Sequence, residues 1–200
     1  MFCARKLHET ALKHIGRYLL TTRDQGMILN PSIQLNIDAY PDADFAGLYI
    51  HEDSLDPVFV RSITGFLITV ANCPVIWSSK LQTETALSTM EAEVVAMASC
   101  CRELFPVIDL TCELGMAAGI PPNDTAQMHV TPHEDNIGAL TLAETLPPQF
   151  TPRSKHYAIK TVWFHEQIIK RGIKLLKIDT KDQLGDIFTK SLPEFQFQYL

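Results

Sequence analysis

Residues 33–39 alternate between apolar and polar side chains, beginning with Ile33 and ending with Ala39. A period of two over this length predicts a β-strand with one face in a core. The predicted strand leads into two acids, Asp42 and Asp44. A rigid strand end can aim a carboxylate into a cleft, so Asp42 is the first candidate ligand of a metal site. Asp44 is either a turn residue or a spare ligand, and we favour the turn.

Further β-rich runs follow. Residues 45–50 predict a returning strand, and residues 65–70 and 74–79 predict a hairpin. Short strands at 126–131 and 173–178 alternate with helical segments. Three consecutive antiparallel strands followed by β–α alternation imply an α/β fold, with one mixed sheet flanked by helices.

Helical periodicity predicts helices over residues 8–20, 86–105, 136–146 and 154–171. A Thr-Lys-Asp-Gln capping box predicts a last helix over residues 180–191. The chain therefore offers helices for both faces of the sheet.

The helix over 86–105 distinguishes two glutamates. At 100° per residue, Glu91 projects on the polar face, whereas Glu93 lies within the apolar stripe with Met90 and Met97. A buried carboxylate is costly unless it is paired or bound to metal. Glu93 is therefore a candidate metal ligand, and a buried salt bridge is the alternative.

Four acids form the candidate catalytic set: Asp42, Glu93, Asp135 and Asp186. Clustered carboxylates need a cation at neutral pH, and hard oxygen ligands favour Mg²⁺ or Mn²⁺. Two such ions about 4 Å apart can promote phosphodiester hydrolysis. Spacing alone does not bring the four acids together. Asp135 could instead cap a helix, and Asp186 could be an exposed helix acid.

Charge is unevenly distributed along the chain. The net charge is −6, yet residues 151–190 hold nine Lys/Arg and four Asp/Glu. An acidic body with one basic segment suits a protein that holds cations in one place and meets a polyanion in another. The composition argues against a generally basic nucleic-acid binder.

The cysteines and the N-terminus indicate an intracellular setting. Five cysteines occur without a C-x-x-C pair, which predicts reduced thiols. The first residues are too charged for a secretory signal, and no apolar run approaches a membrane span.

Six segments in order resemble the ribonuclease H domain of copia-type retrotransposon polyproteins. They are YPDADFAG, SITGFLITV, VIWSSKLQTETALSTMEAEVVA, HEDNIGAL, RSKHYAIK and DQLGDIFTKSL. The resemblance runs from about His8 to Pro193. It implies the ribonuclease H fold, a five-stranded mixed sheet flanked by helices. It also implies cleavage of the RNA strand of RNA–DNA hybrids with two divalent metals.

The resemblance assigns the catalytic and metal-binding roles to Asp42, Glu93, Asp135 and Asp186, with two Mg²⁺ or Mn²⁺ ions as cofactor. No small-molecule cofactor is implied. Three departures stand out. Pro41 lacks a ladder donor and suggests a bulge before Asp42. Gly185 stands where alanine is usual, and residues 51–60 look longer than the common loop.

The basic helix is the expected contact for the hybrid. Arg153, Lys155, His156 and Lys160 would meet its phosphates, although a solvated basic face is the alternative. The implied partners are an RNA–DNA hybrid and the reverse transcriptase of the same polyprotein, with no membrane. The expected location is a cytoplasmic virus-like particle or the nucleus.

The resemblance also divides the chain. Residues 1–30 resemble the segment that joins the polymerase to the nuclease, residues 31–193 the nuclease domain, and residues 194–200 a tail. The rival function is a non-cleaving module from a decayed element, which binds hybrids or braces a reverse transcriptase.

Overall fold

The structure is a computed structural model that describes residues 6–49, 56, 58–120, 128–144 and 155–200. It divides into two compact units, Met1–Asn30 and Pro31–Leu200. In the first unit, helix α1 spans Lys6–Thr21 and confirms the helix predicted over 8–20. On the surface of this helix, Lys13 and Glu9 lie one turn apart, and the Lys13 Nζ forms an ion pair with Glu9 Oε1 at 2.6 Å.

The second unit is built on a five-stranded sheet with the order β3-β2-β1-β4-β5. Strands β1, β2 and β3 pair antiparallel, whereas β1, β4 and β5 pair parallel. The strands are β1 Ile37–Asp44, β2 Ile63–Val70, β3 Cys73–Leu81, β4 Val130–Glu134 and β5 Leu176–Lys177. This arrangement confirms the predicted ribonuclease H-like α/β fold with a meander followed by parallel strands.

The helical segments of this unit are α2 Thr89–Ala117, α3 Ile137–Glu144, α4 Lys155–Arg171 and α5 Glu194–Tyr199, with 3₁₀ helices at Thr180–Asp182 and Leu184–Phe188. Helix α2 starts later and runs further than predicted. It passes through Pro106, whose ring is exposed. Because Leu104 and Ile108 are buried on either side, packing keeps the helix continuous despite the missing N–H.

Strand β1 is displaced from its predicted position. It begins at Ile37, where the pairing with β2 and β4 starts, and continues through Pro41 to Asp44, whereas Ile33 lies fully exposed. Past Tyr40 the strand is buried on both faces, so the alternation stops where the strand becomes central. The predicted bulge at Pro41 is wrong, since the pairing with β2 is regular and Pro41 lies opposite Phe66.

Other boundaries also differ. Residues 45–49 form a turn in which Ala46 has φ 50°, so the predicted returning strand over 45–50 is wrong in its described part. Strand β4 is shifted toward the C-terminus and overlaps the predicted 126–131 at residues 130 and 131, while 126 and 127 fall outside the described residues. Strand β5 covers only two of the residues predicted over 173–178.

The predicted α-helix over 180–191 is replaced by two 3₁₀ helices. A Cβ at Gly185 would lie 2.6 Å from the Tyr40 carbonyl oxygen and 2.8 Å from the Asp42 Cβ. This segment therefore packs its backbone directly against β1, and the close packing outweighs the local capping signal.

The core lies between the sheet and α2 and extends to α4. Ile37, Ile68, Met97, Leu104 and Phe164 are fully buried there. Burying each large apolar side chain contributes about 1.5–3 kcal/mol, which fixes α2 over β1. Among the described helices, none combines the length and apolarity needed to cross a bilayer.

Candidate metal centre

The candidate site lies where β1 and β4 stop pairing. The parallel register between them ends at Ala39 and Pro132, although both strands continue. Beyond that point the buried Gln183 side chain donates hydrogen bonds to the Pro41 carbonyl at 2.9 Å and the His133 carbonyl at 3.3 Å. The amide thus ties the two strand ends together where they deliver their acids.

Three of the predicted acids meet at this point. Asp42 comes from β1, Glu93 from α2 and Asp135 from the residue after β4. Each offers a carboxylate oxygen, and these oxygens all lie within 4.8 Å of one another. Asp42 is fully buried, Glu93 is buried and Asp135 is partly buried. Residues far apart in sequence therefore form one cluster of oxygen ligands.

Glu93 carries the strongest indication of a cation-binding role. Its Oε2 is buried and has no hydrogen-bond partner among the described residues. Burial raises its pKa, and the charges of Glu134, Asp42 and Asp135 raise it further. No ion pair of Glu93 occurs within the described ranges, so the structure does not support the salt-bridge alternative. An all-oxygen cluster with an unpartnered carboxylate fits Mg²⁺ or Mn²⁺.

Asp135 is not the cap of the following helix. The Asn136 Oδ1 accepts a hydrogen bond from the Ala139 N–H at 3.0 Å, as an N-cap side chain does. The Asn136 N–H in turn donates to Glu134 Oε1 at 3.0 Å. With the capping role taken by Asn136, the Asp135 carboxylate joins the acid cluster.

Asp186 is buried, so the alternative of an exposed helix acid is wrong. The Lys190 Nζ lies 2.5 Å from Asp186 Oδ1 and 3.2 Å from Asp42 Oδ1. The Thr189 hydroxyl donates a short hydrogen bond to Asp42 Oδ2. Asp186 therefore lies beside Asp42 and is linked to it through a lysine. Burial raises the pKa of Asp186, although the hydrogen bond from Lys190 opposes that shift.

Two residues at the site were not found from the sequence. Glu134 is fully buried, and its Oε2 has no partner in the described part of the chain. In strand β4 the alternate residues Pro132 and Glu134 are buried. A predicted strand that reached residue 134 would therefore have placed the Glu134 side chain in the core. Lys190 follows Asp186 by one helical turn, which is the spacing of an ion pair.

Asp44 borders the entrance to the site. It lines an open cleft of about 450 Å³ together with Glu93 and Asp135. A Cβ at Gly47 would collide with its carboxylate, so the turn after β1 needs glycine there. Burial raises the pKa of Asp44. The structure thus places Asp44 at the end of the strand, against the turn.

The predicted hybrid contacts are described only in part. The Lys160 Nζ donates to Glu84 Oε2 at 2.9 Å, and about a third of the Lys160 side chain is exposed. Lys155 and His156 belong to α4, whose backbone is described there. Arg153 lies outside the described residues.

Known proteins are similar to this chain over nearly its whole length. It is 34% identical over 191 residues to the retrovirus-related Pol polyprotein from transposon RE2 of Arabidopsis thaliana, covering 96% of this chain and 12% of the relative. It is 30% identical over 193 residues to that from transposon TNT 1-94 of Nicotiana tabacum, covering 96% of this chain and 13% of the relative. The chain thus spans only a small part of these curated relatives. No protein-family model matches.

A solved structure of LC11-RNase H1 in complex with RNA/DNA hybrid is also similar. The identity is 15% and the TM-score 0.47, over 76% of this chain and 93% of that one.

The sheet order, with its flanking helices, defines an α/β domain of the ribonuclease H type. Its homologues are copia-type retrotransposon Pol polyproteins, and this chain corresponds to one segment of them. The resemblance found from the six sequence segments is confirmed.

Proposed function

We propose that this domain is a metal-dependent endonuclease that hydrolyses the RNA strand of RNA–DNA hybrids during retrotransposon reverse transcription. The observation that carries the proposal is the convergence of Asp42, Glu93 and Asp135 within 4.8 Å. A buried carboxylate oxygen without a partner, such as the Glu93 Oε2, destabilises the fold, so its presence in the lining of a cleft favours a ligand-binding role.

The ligand set fits divalent metal. Asp42, Glu93 and Asp135 would hold one ion, and Asp42 with Asp186 would hold a second. When bound, such ions activate water and stabilise the leaving oxygen of a phosphodiester. The products would carry a 3′-hydroxyl and a 5′-phosphate.

The residues around Asp42 position it for this role. The Thr189 hydroxyl donates to Asp42 Oδ2, and the Lys190 ammonium donates to Asp42 Oδ1. The two residues that directly follow the 3₁₀ helix Leu184–Phe188 therefore orient both carboxylate oxygens. Gln183 holds the strand carbonyl one residue before Asp42. These contacts fix the carboxylate before any ligand arrives, which limits the reorganisation needed for binding.

The basic helix would supply contacts to the hybrid. Lys155, His156 and Lys160 belong to α4, and Arg153 precedes it in the sequence. Cations there would add salt-sensitive affinity for phosphates. Recognition of RNA would rest on the 2′-hydroxyl and on duplex shape. The reverse transcriptase of the same polyprotein is the proposed protein partner. Residues 1–30 would form the end of that region, residues 31–193 the nuclease, and residues 194–200 a tail.

A cleavage assay tests the proposal. A labelled RNA–DNA duplex is incubated with Mg²⁺ and the wild type, Asp42→Asn, Glu93→Gln or the matched control Glu91→Gln. We expect RNA cleavage by the wild type and the control and none by the other two. Equal cleavage by all four would refute the assignment. Hybrid binding that survives all substitutions, without product at any Mg²⁺ concentration, would favour the non-cleaving rival.

A further inference from the structure

Lys190 lies between two buried acids of the centre. Its Nζ contacts Asp186 Oδ1 at 2.5 Å and Asp42 Oδ1 at 3.2 Å. The side chains of Asp42 and Asp186 are 0% and 3% exposed, whereas that of Lys190 is 34% exposed. Within the described residues, Lys190 is the cation that forms an ion pair with the candidate metal ligands. It therefore provides a positive charge that both carboxylates share.

The two sides of the centre differ in how their charge is balanced. The cluster of Asp42, Glu93 and Asp135 leaves the Glu93 Oε2 without a partner in the described part of the chain. The Asp42–Asp186 side is satisfied by an ammonium at hydrogen-bond distance. Desolvation alone would lower the pKa of Lys190, but the charges of Asp42 and Asp186 outweigh it and raise the pKa. One side thus leaves a buried carboxylate oxygen unpartnered, and the other is paired with an ammonium.

We infer that the Lys190 ammonium is a resident counter-ion at the second cation position of this centre. The protein without substrate then takes one divalent ion, at Asp42, Glu93 and Asp135. A second ion enters between Asp42 and Asp186 only when the Lys190 side chain moves away. The inference deepens the proposed function and rests on its assignment of these acids as metal ligands.

The side chain of Lys190 is suited to such an exchange. An ammonium on a flexible four-carbon stem is a compact point charge that is easily redirected. A third of the side chain already meets solvent, and the backbone of Lys190 stays anchored because its N–H donates to the Asp186 carbonyl at 3.0 Å. Departure of the ammonium therefore requires side-chain rotation without unfolding of the 3₁₀ region. Lys190 is on this view a positioning residue.

Calorimetric titration with Mn²⁺, without substrate, tests the inference. The variants are Lys190→Met, which removes the charge, and Lys190→Arg, which keeps a cation. Lys181→Met is the matched control, since the Lys181 side chain is 72% exposed. We expect one tight ion for the wild type, Lys190→Arg and the control. Lys190→Met should bind a second ion on the order of tenfold more tightly than the wild type does, which is the effect of losing one competing charged hydrogen bond.

Lys190→Met leaves two buried carboxylates without a counter-ion, so it could fail to fold without metal. A second measurement therefore uses the wild type alone. The rate at which an amine-reactive ester acylates Lys190 is read by mass spectrometry, with Lys181 as internal reference. We expect slow acylation at Lys190 without metal, no change as the first Mn²⁺ binds, and faster acylation at millimolar Mn²⁺.

The outcomes separate the inference from the proposed function. Hybrid cleavage by the wild type, together with an unchanged ion count and affinity in Lys190→Met, overturns the inference alone. Acylation of Lys190 as fast as that of Lys181 in metal-free protein also overturns it. No Mn²⁺ binding by any variant, together with no hybrid cleavage, overturns both.

Discussion

Glu91 and Glu93 lie two positions apart on α2, and their carboxylates have opposite surroundings. The Glu91 Oε2 accepts a hydrogen bond from the Leu87 N–H at 2.8 Å, and the Glu91 N–H donates to Ser88 Oγ at 3.2 Å. The Glu93 Oε2 is buried without a partner in the described ranges. Glu91 thus stabilises the start of the helix, whereas Glu93 is left for a ligand.

This difference predicts separate effects of two matched substitutions. Glu93→Gln should remove most of the rise in melting temperature that Mn²⁺ produces, because it removes a ligand and with it the stabilisation by binding. Glu91→Gln should keep that rise and lower stability by about 0.5–1 kcal/mol, through the weakened cap. Thermal melts with and without Mn²⁺ measure both effects. An equal loss of the Mn²⁺ response in the two variants would contradict the assignment.

The buried acids predict an unusual dependence of stability on pH. The pKa values of Glu93 and Glu134 are raised, chiefly by burial. The native state therefore binds more protons than the unfolded state above about pH 4.3, the ordinary glutamate value. The free energy of unfolding of the metal-free protein should then fall as pH rises from 5.5 to 8.

Urea unfolding in EDTA at several pH values measures this slope. Glu93→Gln should flatten it, since one of these two glutamates with a raised pKa is gone. Saturating Mn²⁺ should also flatten it, because the metal binds the ionised form. A free energy of unfolding that increases between pH 5.5 and 8 in the metal-free protein would show that the pKa values of Glu93 and Glu134 are not raised in the native state.

Gly65 on β2 predicts a coupling between packing and metal binding. A Cβ there would lie 2.5 Å from Thr189 Cγ2 and 2.8 Å from Phe188 Cβ. Gly65→Ala should cost about 1–3 kcal/mol of unfolding free energy, as overpacking does. It should also weaken Mn²⁺ binding at the cluster of Asp42, Glu93 and Asp135, because Thr189 would shift and no longer orient the Asp42 carboxylate.

The control is Gly16→Ala in α1, where no atom lies within 4 Å of the added Cβ. That variant should be stabilised by about 0.5–1 kcal/mol, through helix propensity. Urea unfolding and Mn²⁺ titration of both variants give the comparison. Unchanged stability of Gly65→Ala would show that the 3₁₀ region does not pack on β2 as described.

The ion pair between Lys160 and Glu84 predicts the behaviour of the basic helix. If Lys160 contacts phosphate, Lys160→Met should weaken hybrid binding and reduce the slope of log affinity against log salt by about 1. Glu84→Gln should strengthen hybrid binding, since it removes a competing carboxylate at 2.9 Å. Fluorescence anisotropy at several salt concentrations measures both. Identical slopes of log affinity against log salt for the wild type and Lys160→Met would show that Lys160 is solvated and does not contact phosphate.

Local patterns were sufficient for the hairpin and for the distinction between the two glutamates. Strands β2 and β3 follow directly from two β-rich runs, and the burial of Glu93 follows from helical projection onto one face. The convergence of the acids could not be predicted from their spacing in the sequence, because it depends on the order of the strands in the sheet. The resemblance to retrotransposon polyproteins supplied that order.

Other features depend on contacts that local patterns do not contain. Strand β1 is buried on both faces around Asp42, so alternation identified only its first half. The 3₁₀ geometry of 184–188 follows from the close approach of Gly185 to Tyr40. Lys190 resembles any surface lysine in sequence, and only the fold places its Nζ between Asp42 and Asp186.

Anomalous X-ray diffraction from crystals soaked in Mn²⁺ is the most direct test of metal binding by these acids. We expect a strong manganese peak with oxygens of Asp42, Glu93 and Asp135 as ligands, and no such peak in Glu93→Gln. A peak bound by other residues, or none near these three carboxylates at saturating Mn²⁺, would refute the assignment.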